Sequence, residues 1–412
     1  MFLLLKLAAR NFLRHKRQAI LTGVAMFVSA MLIVLIGAYN RASESVQVRS
    51  VIDSFLGHIQ IFADQRNSMK VGAIDFQNDY DFIEQGDEVE KVLWSDSRVE
   101  SYLKKAVVWV LLSYGDRSFG VISAGYDPEM GRKVFPMVQA VRGEYFSSSE
   151  PTLMLTSLLA EAMGVQVGTE FTALLAAPDG TLNALNVRFS GVAAGSSYQD
   201  WGAWIDGKSI GYLLNLNSDQ AIAYVLRLSD RDKAEEVKAD LNSEFKRLGL
   251  KASAYTWSDL GTIFLGFQAI SRLFGAVSIL IVLAATAAVI TNATLMNVFE
   301  RTREIGTIGA LGARGYQILG LFIIEALILS SISSGLGVLG GASIAEWLSR
   351  IGVPAITDSL RYSYGGDRMY LIPAYSDLAF AFASVNFLCL VSALYPAYRA
   401  IAMRPVEALQ YV

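Results

Sequence analysis

The residues Gly202-Ala203-Trp204-Ile205-Asp206-Gly207-Lys208-Ser209 fit the spacing G-x-x-x-x-G-K-[ST]. Chemistry at that spacing is phosphate binding: converging backbone N–H groups cradle the anion and the lysine adds charge. Here Asp206 would set a negative charge inside the cradle, Trp204 and Ile205 read as the end of a strand, and no apolar run ending in Asp offers a magnesium partner. The same residues make a strand whose terminal Asp206 caps a short helix through Leu214, and that is the expectation. The signatures H-E-x-x-H and G-x-S-x-G do not occur. One cysteine, Cys389, and two histidines, His15 and His58, exclude an intrachain disulfide and a cysteine- or histidine-rich metal site. The chain is expected to hold no cofactor and not to be an enzyme by itself.

A charged, glycine-punctuated link carries more information. Glu300-Arg301-Thr302-Arg303-Glu304-Ile305-Gly306 is followed by Ala310-Leu311-Gly312-Ala313, between two long apolar stretches. On a helix Ile305, Ile308 and Leu311 share one face, while Arg301, Arg303 and Glu304 lie elsewhere. A short amphipathic helix along a membrane surface would offer those charges to a soluble partner; charges that merely anchor the bundle at the interface would look the same. Glu325 stands alone in an apolar run. Intramembrane carboxylates mark proton paths, but one without a relay reads as a side chain near the interface beside a polar neighbour. Ser333, Gly337, Gly341 and Ala345 recur every fourth residue, a spacing that lets helix backbones touch. Packing within the chain's own bundle accounts for them before a dimer contact does, and the Ala284–Ala288 cluster reads the same way.

The elements that must position these residues are membrane helices. Of 412 residues 53% are hydrophobic and 18% charged, and the apolar ones cluster. Ala19–Tyr39, Leu273–Thr291 and Leu378–Tyr395 carry no charge, and Ile318–Ile344 carries only Glu325. Each approaches the roughly 20 residues that cross a bilayer as a helix. The organisation expected is a cytosolic basic helix 1–18, a first transmembrane helix 19–39, an inserted domain 40–272 with stalk helices, transmembrane helices 2–4 within 273–395, and a cytosolic tail 396–412. The polar link is expected at 296–317 and an outer loop at 346–377.

Lys6, Arg10, Arg14, Lys16 and Arg17, with no acid among them, place the N-terminus in the cytosol. Four spans return the C-terminus there, where Arg399 and Arg404 agree, and put the link with Arg301, Arg303 and Arg314 inside. Arg361 and Arg368 in the outer loop oppose this layout and are outvoted. The first apolar run exceeds a signal-peptide core and lacks a small-x-small cleavage site, so it is expected to remain as a span. The inserted domain is acidic overall, which excludes nucleic acid as a partner.

Within the insert, Arg41–Ser54 reads as a helix rising from the membrane, broken at Gly57. Strands are expected at His58–Phe62, Ala106–Ser113, Ser118–Ala124, Ala221–Leu228 and Lys251–Trp257, with a turn at Tyr114-Gly115-Asp116-Arg117. Phe171–Ala176 and Leu182–Phe189 form a hairpin around Pro178-Asp179-Gly180. Helices are expected at Ser157–Met163, ending at Gly164, and from a cap at Ser229 or Asp230 through Leu248, stopped by Gly249. Ser258–Arg272 leads back as a second stalk. The fold class is an α+β membrane protein: four transmembrane helices with a large extracytoplasmic α+β domain inserted between the first and second.

Three stretches together resemble the MacB/FtsX-like permease family of type VII ABC transporters. Leu7-Ala8-Ala9-Arg10-Asn11-Phe12-Leu13-Arg14-His15-Lys16-Arg17 is similar to the basic helix before the family's first span, and Glu300–Ala313 to its ATPase-coupling element. Tyr395-Pro396-Ala397-Tyr398-Arg399-Ala400 with Arg404-Pro405-Val406-Glu407-Ala408-Leu409 resembles its C-terminal signature. Leu158–Phe171, with Leu159-Ala160 and Val167-Gly168, is similar to the MacB-type core domain. The layout is most like the lipoprotein-releasing LolC and LolE, without room at Pro178-Asp179-Gly180 for LolC's chaperone-recruiting hook. The resemblance implies a coupling role for Glu300, Arg301, Arg303, Glu304, Ile305, Gly306, Ala310, Leu311 and Gly312. It implies a separate dimeric ABC ATPase that binds ATP and Mg, a second permease chain, identical or homologous, and a lipoprotein or lipid cargo at a bacterial cytoplasmic membrane. An FtsX-like scaffold for a cell-wall hydrolase and a MacB-like efflux component are its alternatives.

Overall fold

In the computed structural model, residues 16–63, 81–193, 202–300, 302, 307, 314–356, 364 and 368–402 are described. The chain divides into two units, one gathering Met1–Glu44, Ala269–Pro354 and Met369–Val412, the other Ser45–Gln268 with Ala355–Arg368.

The first unit contains long helices. α1 spans Lys16–Val51, and its last residues belong to the second unit. Among the described residues four helical stretches are long and apolar enough to cross a membrane: Ala19–Leu56, Gln268–Met296, Gly315–Ile351 and Tyr375–Leu394. In a bilayer only a helix or a closed barrel satisfies its own backbone groups, so apolar runs of this length become helices. The helices outrun the apolar cores seen in the sequence. The one that holds the second span runs Thr262–Glu300, because no Gly or Pro interrupts it between Gly275 and Glu300. The third runs Gly315–Ile351, so the loop expected from 346 starts later. Arg350 pairs with Glu346 one turn back (2.8 Å), and Gly352, at φ 75°, ends the helix. The fourth, Tyr375–Ala402, continues past Tyr395-Pro396 into the expected tail.

In the second unit α1 passes into a single π turn, Ile52–Leu56, and the helix stops at Gly57, whose φ of 64° suits glycine. Its elements follow in order: β1 Ile59–Phe62, α2 Gly86–Ser95, β2 Val99–Tyr114, β3 Arg117–Tyr126, α3 Pro128–Val134, β4 Ala140–Gly143, β5 Thr152–Thr156, α4 Ser157–Met163, β6 Glu170–Ala176, β7 Leu182–Ala193, β8 Gly202–Asp206, α5 Gly207–Leu213, β9 Ala223–Leu228, α6 Ala234–Leu248, β10 Ser253–Thr256 and α7 Trp257–Leu260. Below, α8, α9 and α10 are the helices Thr262–Glu300, Gly315–Ile351 and Tyr375–Ala402.

Strand β2 belongs to two sheets. Its first half, to Lys105, pairs with β9, which pairs with β1 and then β10, all antiparallel. Helices α2 and α6 cover one face of that sheet and bury Val89, Leu93, Val237, Leu241 and Phe245 against Ile59, Ile61, Tyr224 and Leu226. The second half of β2, from Ala106, enters a ring: β2 pairs β3, β3 pairs β8, β8 pairs β5, β5 pairs β7, β7 pairs β6, and β6 returns to β2. A closed ring leaves no lateral edge exposed. Val108, Val110 and Leu112 point inside with Phe171, Ala173 and Phe189, while Trp109 between them is exposed, the period of two that a strand imposes.

Several local expectations hold. α4 has the expected bounds, capped by the Thr156 hydroxyl and closed by Gly164 at φ 66°. The hairpin closes with Ala176 opposite Leu182. α6 ends at Gly249 in the left-handed region, and Asp230 caps the turn that precedes it. Other bounds differ. β2 is longer than the expected Ala106–Ser113: it starts at Val99 and runs through Lys104 and Lys105 to Tyr114. β10 ends at Thr256, and Gly261 separates α7 from α8 instead of one stalk helix.

Lys105 sits at the residue where β2 changes sheet. It is 4% exposed, and its ammonium donates to the Phe55 carbonyl at 2.6 Å, 3.8 Å from the Phe55 ring centroid. Burial lowers its pKa from 10.5 to about 7. Below pH 7 both folded and unfolded chains carry this charge, and the cost of burying it is felt in full. Between pH 7 and 10.5 the unfolded chain holds a proton that the folded chain has released, so stability rises with pH across that window. Lys105→Met should flatten the rise, removing a slope of at most about 1.4 kcal/mol per pH unit. Denaturant unfolding of the 45–268 segment at pH 7, 8 and 9 measures it; parallel pH profiles for wild type and variant would contradict the assignment.

Candidate functional site

The link expected to couple the chain to a partner is bracketed by described residues. α8 continues through the first residues assigned to the link and ends at the exposed Glu300, and α9 starts at Gly315. The Arg314 backbone N–H donates to Gln317 Oε1 at 2.9 Å, which stops the α9 start from fraying. Thr302 is buried, its hydroxyl donating to the Phe299 carbonyl at 3.0 Å, and Thr307 is exposed. Arg301, Arg303, Glu304, Ile305, Gly306, Ala310, Leu311 and Gly312 lie outside the described residues, as do the basic stretch before Lys16 and the Arg404–Leu409 signature.

What holds the helices behind that link is visible. Ser333, Gly337, Gly341 and Ala345 all face α1. A Cβ at Gly23 would come 2.9 Å from Ser333 Oγ; one at Gly337 would come 2.3 Å from the Phe27 carbonyl oxygen; one at Gly341 would come 3.0 Å from the Met31 carbonyl oxygen. Ala345 and Ala38 are buried in one cluster with Leu371. Backbone thus meets backbone at successive turns, the contact that small residues permit where lipid gives no hydrophobic driving force. Polar pairs add register. Asn386 Oδ1 accepts from Ser330 Oγ (2.7 Å) and Ser331 Oγ (3.1 Å), and its Nδ2 donates to Ser334 Oγ (2.9 Å), joining α10 to α9. Ser29 and Thr286 hydroxyls join α1 to α8. Glu325 is half-buried, about three turns into α9.

Where the chain leaves the bundle for the insert, α1 is held by two ion pairs. Arg41 pairs with Asp377 at the start of α10 and donates to Ser376 Oγ at 3.0 Å; Glu44 pairs with Arg272 of α8. Gly275 sits against Asn40 so closely that a Cβ would come 2.1 Å from Asn40 Nδ2. Pairs this exposed contribute at most about 1 kcal/mol each and act mainly to fix register.

The phosphate-like spacing resolves into β8 followed by α5. Asp206, 2% exposed, accepts from the Ser209 backbone N–H at 2.9 Å and from the Ser209 hydroxyl, so its carboxylate is occupied as a helix cap. A Cβ at Gly207 would come 3.0 Å from the Tyr126 backbone, which explains the glycine by close packing of α5 on β3. Among the described residues no group of three or more His, Cys, Asp or Glu side chains could hold a metal ion. Sequence reasoning missed the two ion pairs and the Asn386 network. Their signal was present only as isolated polar residues at the ends or faces of apolar runs.

Residues 276–405 match the FtsX-like permease C-terminal family. Over 129 residues the chain is 33% identical to the uncharacterized ABC transporter permease YvrN of Bacillus subtilis, covering 30% of this chain and 26% of that protein. Over 152 residues it is 37% identical to the macrolide export ATP-binding/permease protein MacB of Brucella abortus, covering 36% of this chain and 19% of that one. The chain thus spans about a quarter or less of the length of these relatives. Among solved structures, the periplasmic region of MacB from Actinobacillus actinomycetemcomitans aligns with a TM-score of 0.37 at 13% identity, over 53% of this chain and 95% of that one. The extracellular domain of the ABC-type transporter YknZ aligns at 0.35 and 10% identity, over 48% and 100%.

Two predictions follow from this geometry. Gly337→Ala should lower the thermal stability of the chain in detergent by about 1–3 kcal/mol through overpacking, whereas Gly335→Ala, whose nearest neighbour is a side-chain atom at 4.0 Å, should be tolerated. Equal melting shifts would contradict the α1–α9 contact. Asp206→Ala should cost about 1–2 kcal/mol as a lost cap, while Lys208→Ala leaves stability unchanged and alters no ATP binding; an ATP affinity that vanishes with Lys208 would reverse the reading of β8 and α5.

Proposed function

We propose, from the match of residues 276–405 to the FtsX-like permease C-terminal family and the likeness to MacB over 152 residues, that this chain is a MacB- and FtsX-like membrane subunit which turns ATP hydrolysis on a separate ABC ATPase into work on the far side of the membrane. The observation that carries this reading is the family match itself, since residues 276–405 take in the second, third and fourth apolar helices together with the charged link between the first two of them. In this reading two permease chains sit with two ATPase chains in a bacterial cytoplasmic membrane. Both termini lie in the cytosol, and the acidic insert faces outward. ATP and its magnesium stay on the ATPase.

The work proposed is release of a lipoprotein or lipid from the outer leaflet. No substrate then needs to cross the bilayer, and the helices need only carry displacement. Arg301 and Arg303 with Glu300 and Glu304 supply the charges that dock the ATPase, and Ile305, Ala310 and Leu311, with Gly306 and Gly312 as breaks, seat the link on the membrane. The Brucella abortus relative is described as a macrolide exporter, and this supports efflux of a small amphiphile as the second reading.

The test is charge reversal, Arg301→Glu with Arg303→Glu, followed by purification from the native host in mild detergent. The reading predicts that an ATPase co-purifies with the wild type and is reduced at least about tenfold in the variant, a loss of about 1.4 kcal/mol or more in docking. Undiminished recovery would refute the docking role. Bound lipid-modified protein in the wild-type complex would support release, and bound cell-wall hydrolase would favour a scaffold.

A further inference from the structure

The outer end of α1 is held more firmly than a helix end requires. A helix leaves its last carbonyls without intrahelical partners. Here two side chains from the strands take them. Lys105 Nζ donates to the Phe55 carbonyl at 2.6 Å, and Gln60 Nε2 donates to the Leu56 carbonyl at 2.8 Å. The Lys105 ammonium also lies between two rings, 3.8 Å from the Phe55 centroid and 5.2 Å from that of Phe135. A positive charge at a helix C-terminus is favoured by the dipole, and ring faces add cation–π attraction. One turn earlier Asp53 pairs with Arg227 of β9 at 2.9 Å, and its carbonyl accepts from the Met137 N–H at 3.2 Å. Val51 and Leu56 are buried with Leu260, against Phe62, Tyr255 and Trp257.

The place of the grip matters as much as its strength. Lys105 is the last residue of β2 paired with β9, and Ala106 is the first paired with β3. β2 is therefore common to the helix-covered sheet and to the barrel, and Lys105 stands at the change between them. A buried lysine is costly to keep, since desolvation disfavours its charge. An apolar residue would fill the space without that cost but would leave the Phe55 carbonyl only the long bond from Gln60 Nε2 at 3.4 Å. Retaining a lysine at this residue is explained by a need to hold the helix end at the one strand that both halves share.

We infer that Lys105 and Gln60 form the joint through which displacement of α1 reaches strand β2, and through β2 both halves of the inserted domain. The inference rests on the mechanical reading proposed above and names the residues that receive the movement on the far side. Lys105 and Gln60 act as positioning residues: they touch no substrate and hold the α1 end in register with the strand. If the joint is cut, the helix end can still move while the barrel no longer follows it.

The experiment measures whether the helix end and the two halves form one body, and it needs no ATPase. Spin labels are placed in the full chain in lipid nanodiscs at three exposed pairs: Arg49→Cys with Leu182→Cys for helix end to barrel, Arg49→Cys with Leu248→Cys for helix end to the helix-covered sheet, and Leu158→Cys with Leu182→Cys within the barrel. Distance distributions are recorded in the otherwise wild-type chain and with Lys105→Met plus Gln60→Leu added. The joint predicts narrow distributions for all three pairs before, and at least a twofold broadening of the two Arg49 pairs after, with the barrel pair unchanged. Broad Arg49 distributions before the substitutions, unchanged widths after them, or equal broadening of the barrel pair would each overturn the inference. Failure here, with ATPase recovery that depends on Arg301 and Arg303, removes the joint alone, and ATPase recovery undiminished by the charge reversal removes the docking role while the joint stands.

Discussion

The contact on which the helical unit depends is the approach of α1 and α9 through residues that are almost all backbone. Gly337 and Gly341 meet the carbonyls of Phe27 and Met31, with Ser333 against Gly23 on one side and Ala345 near Ala38 on the other. In lipid, apolar side chains gain little by leaving one apolar neighbour for another, so association has to come from close packing and polar pairs. This contact fixes which face of α9 turns inward. Ser330 and Ser334 lie on that same buried side of α9, and with Ser331 they come within reach of Asn386 of α10. α8 is joined to α1 by Ser29 with Thr286 and by Glu44 with Arg272, while Leu273, Phe274, Leu280 and Ile281 stay exposed on its other side. Ile290 of α8 and Ala381, Val385 and Cys389 of α10 are buried in the same cluster as Met26, Ala30, Ile33 and Val34 of α1, so the polar pairs add register to an apolar core.

The inserted domain answers a different constraint. The six-stranded barrel and the helix-covered sheet each bury a core of their own. A single sixteen-residue strand serves both and makes them fold around a common axis. The cost is that β2 passes through an interior where no water reaches its lysine. The helix-end carbonyl and the two rings beside the ammonium offset only part of that cost.

Much of this was legible in the sequence because local chemistry decides it. Thr156 and Gly164 bound α4, Pro178-Asp179-Gly180 closes β6 on β7, and Gly249 ends α6, each through one residue's φ preference or side-chain acceptor. Asp206 was readable as a cap for the same reason. The barrel was not legible, since closure of β6 onto β2 is a contact between residues some sixty positions apart that alternation alone does not specify. The start of β2 before Ala106 was not legible for a related reason: the carbonyl and the two rings beside Lys105 come from residues distant in the chain. The candidate coupling residues rest on charge pattern and family likeness, and of them only Glu300, the exposed end of α8, lies among the described residues.

The account stands on the charged link facing the compartment where ATP is made. The direct measurement is labelling of a Thr307→Cys variant with a membrane-impermeant maleimide, in intact cells and after permeabilisation. Thr307 is exposed, and the native Cys389 is 1% exposed and gives little background. The account predicts no labelling at residue 307 until the membrane is opened, with full labelling afterwards. Labelling in intact cells would put the link on the outside and contradict the coupling of this chain to a cytosolic ATPase.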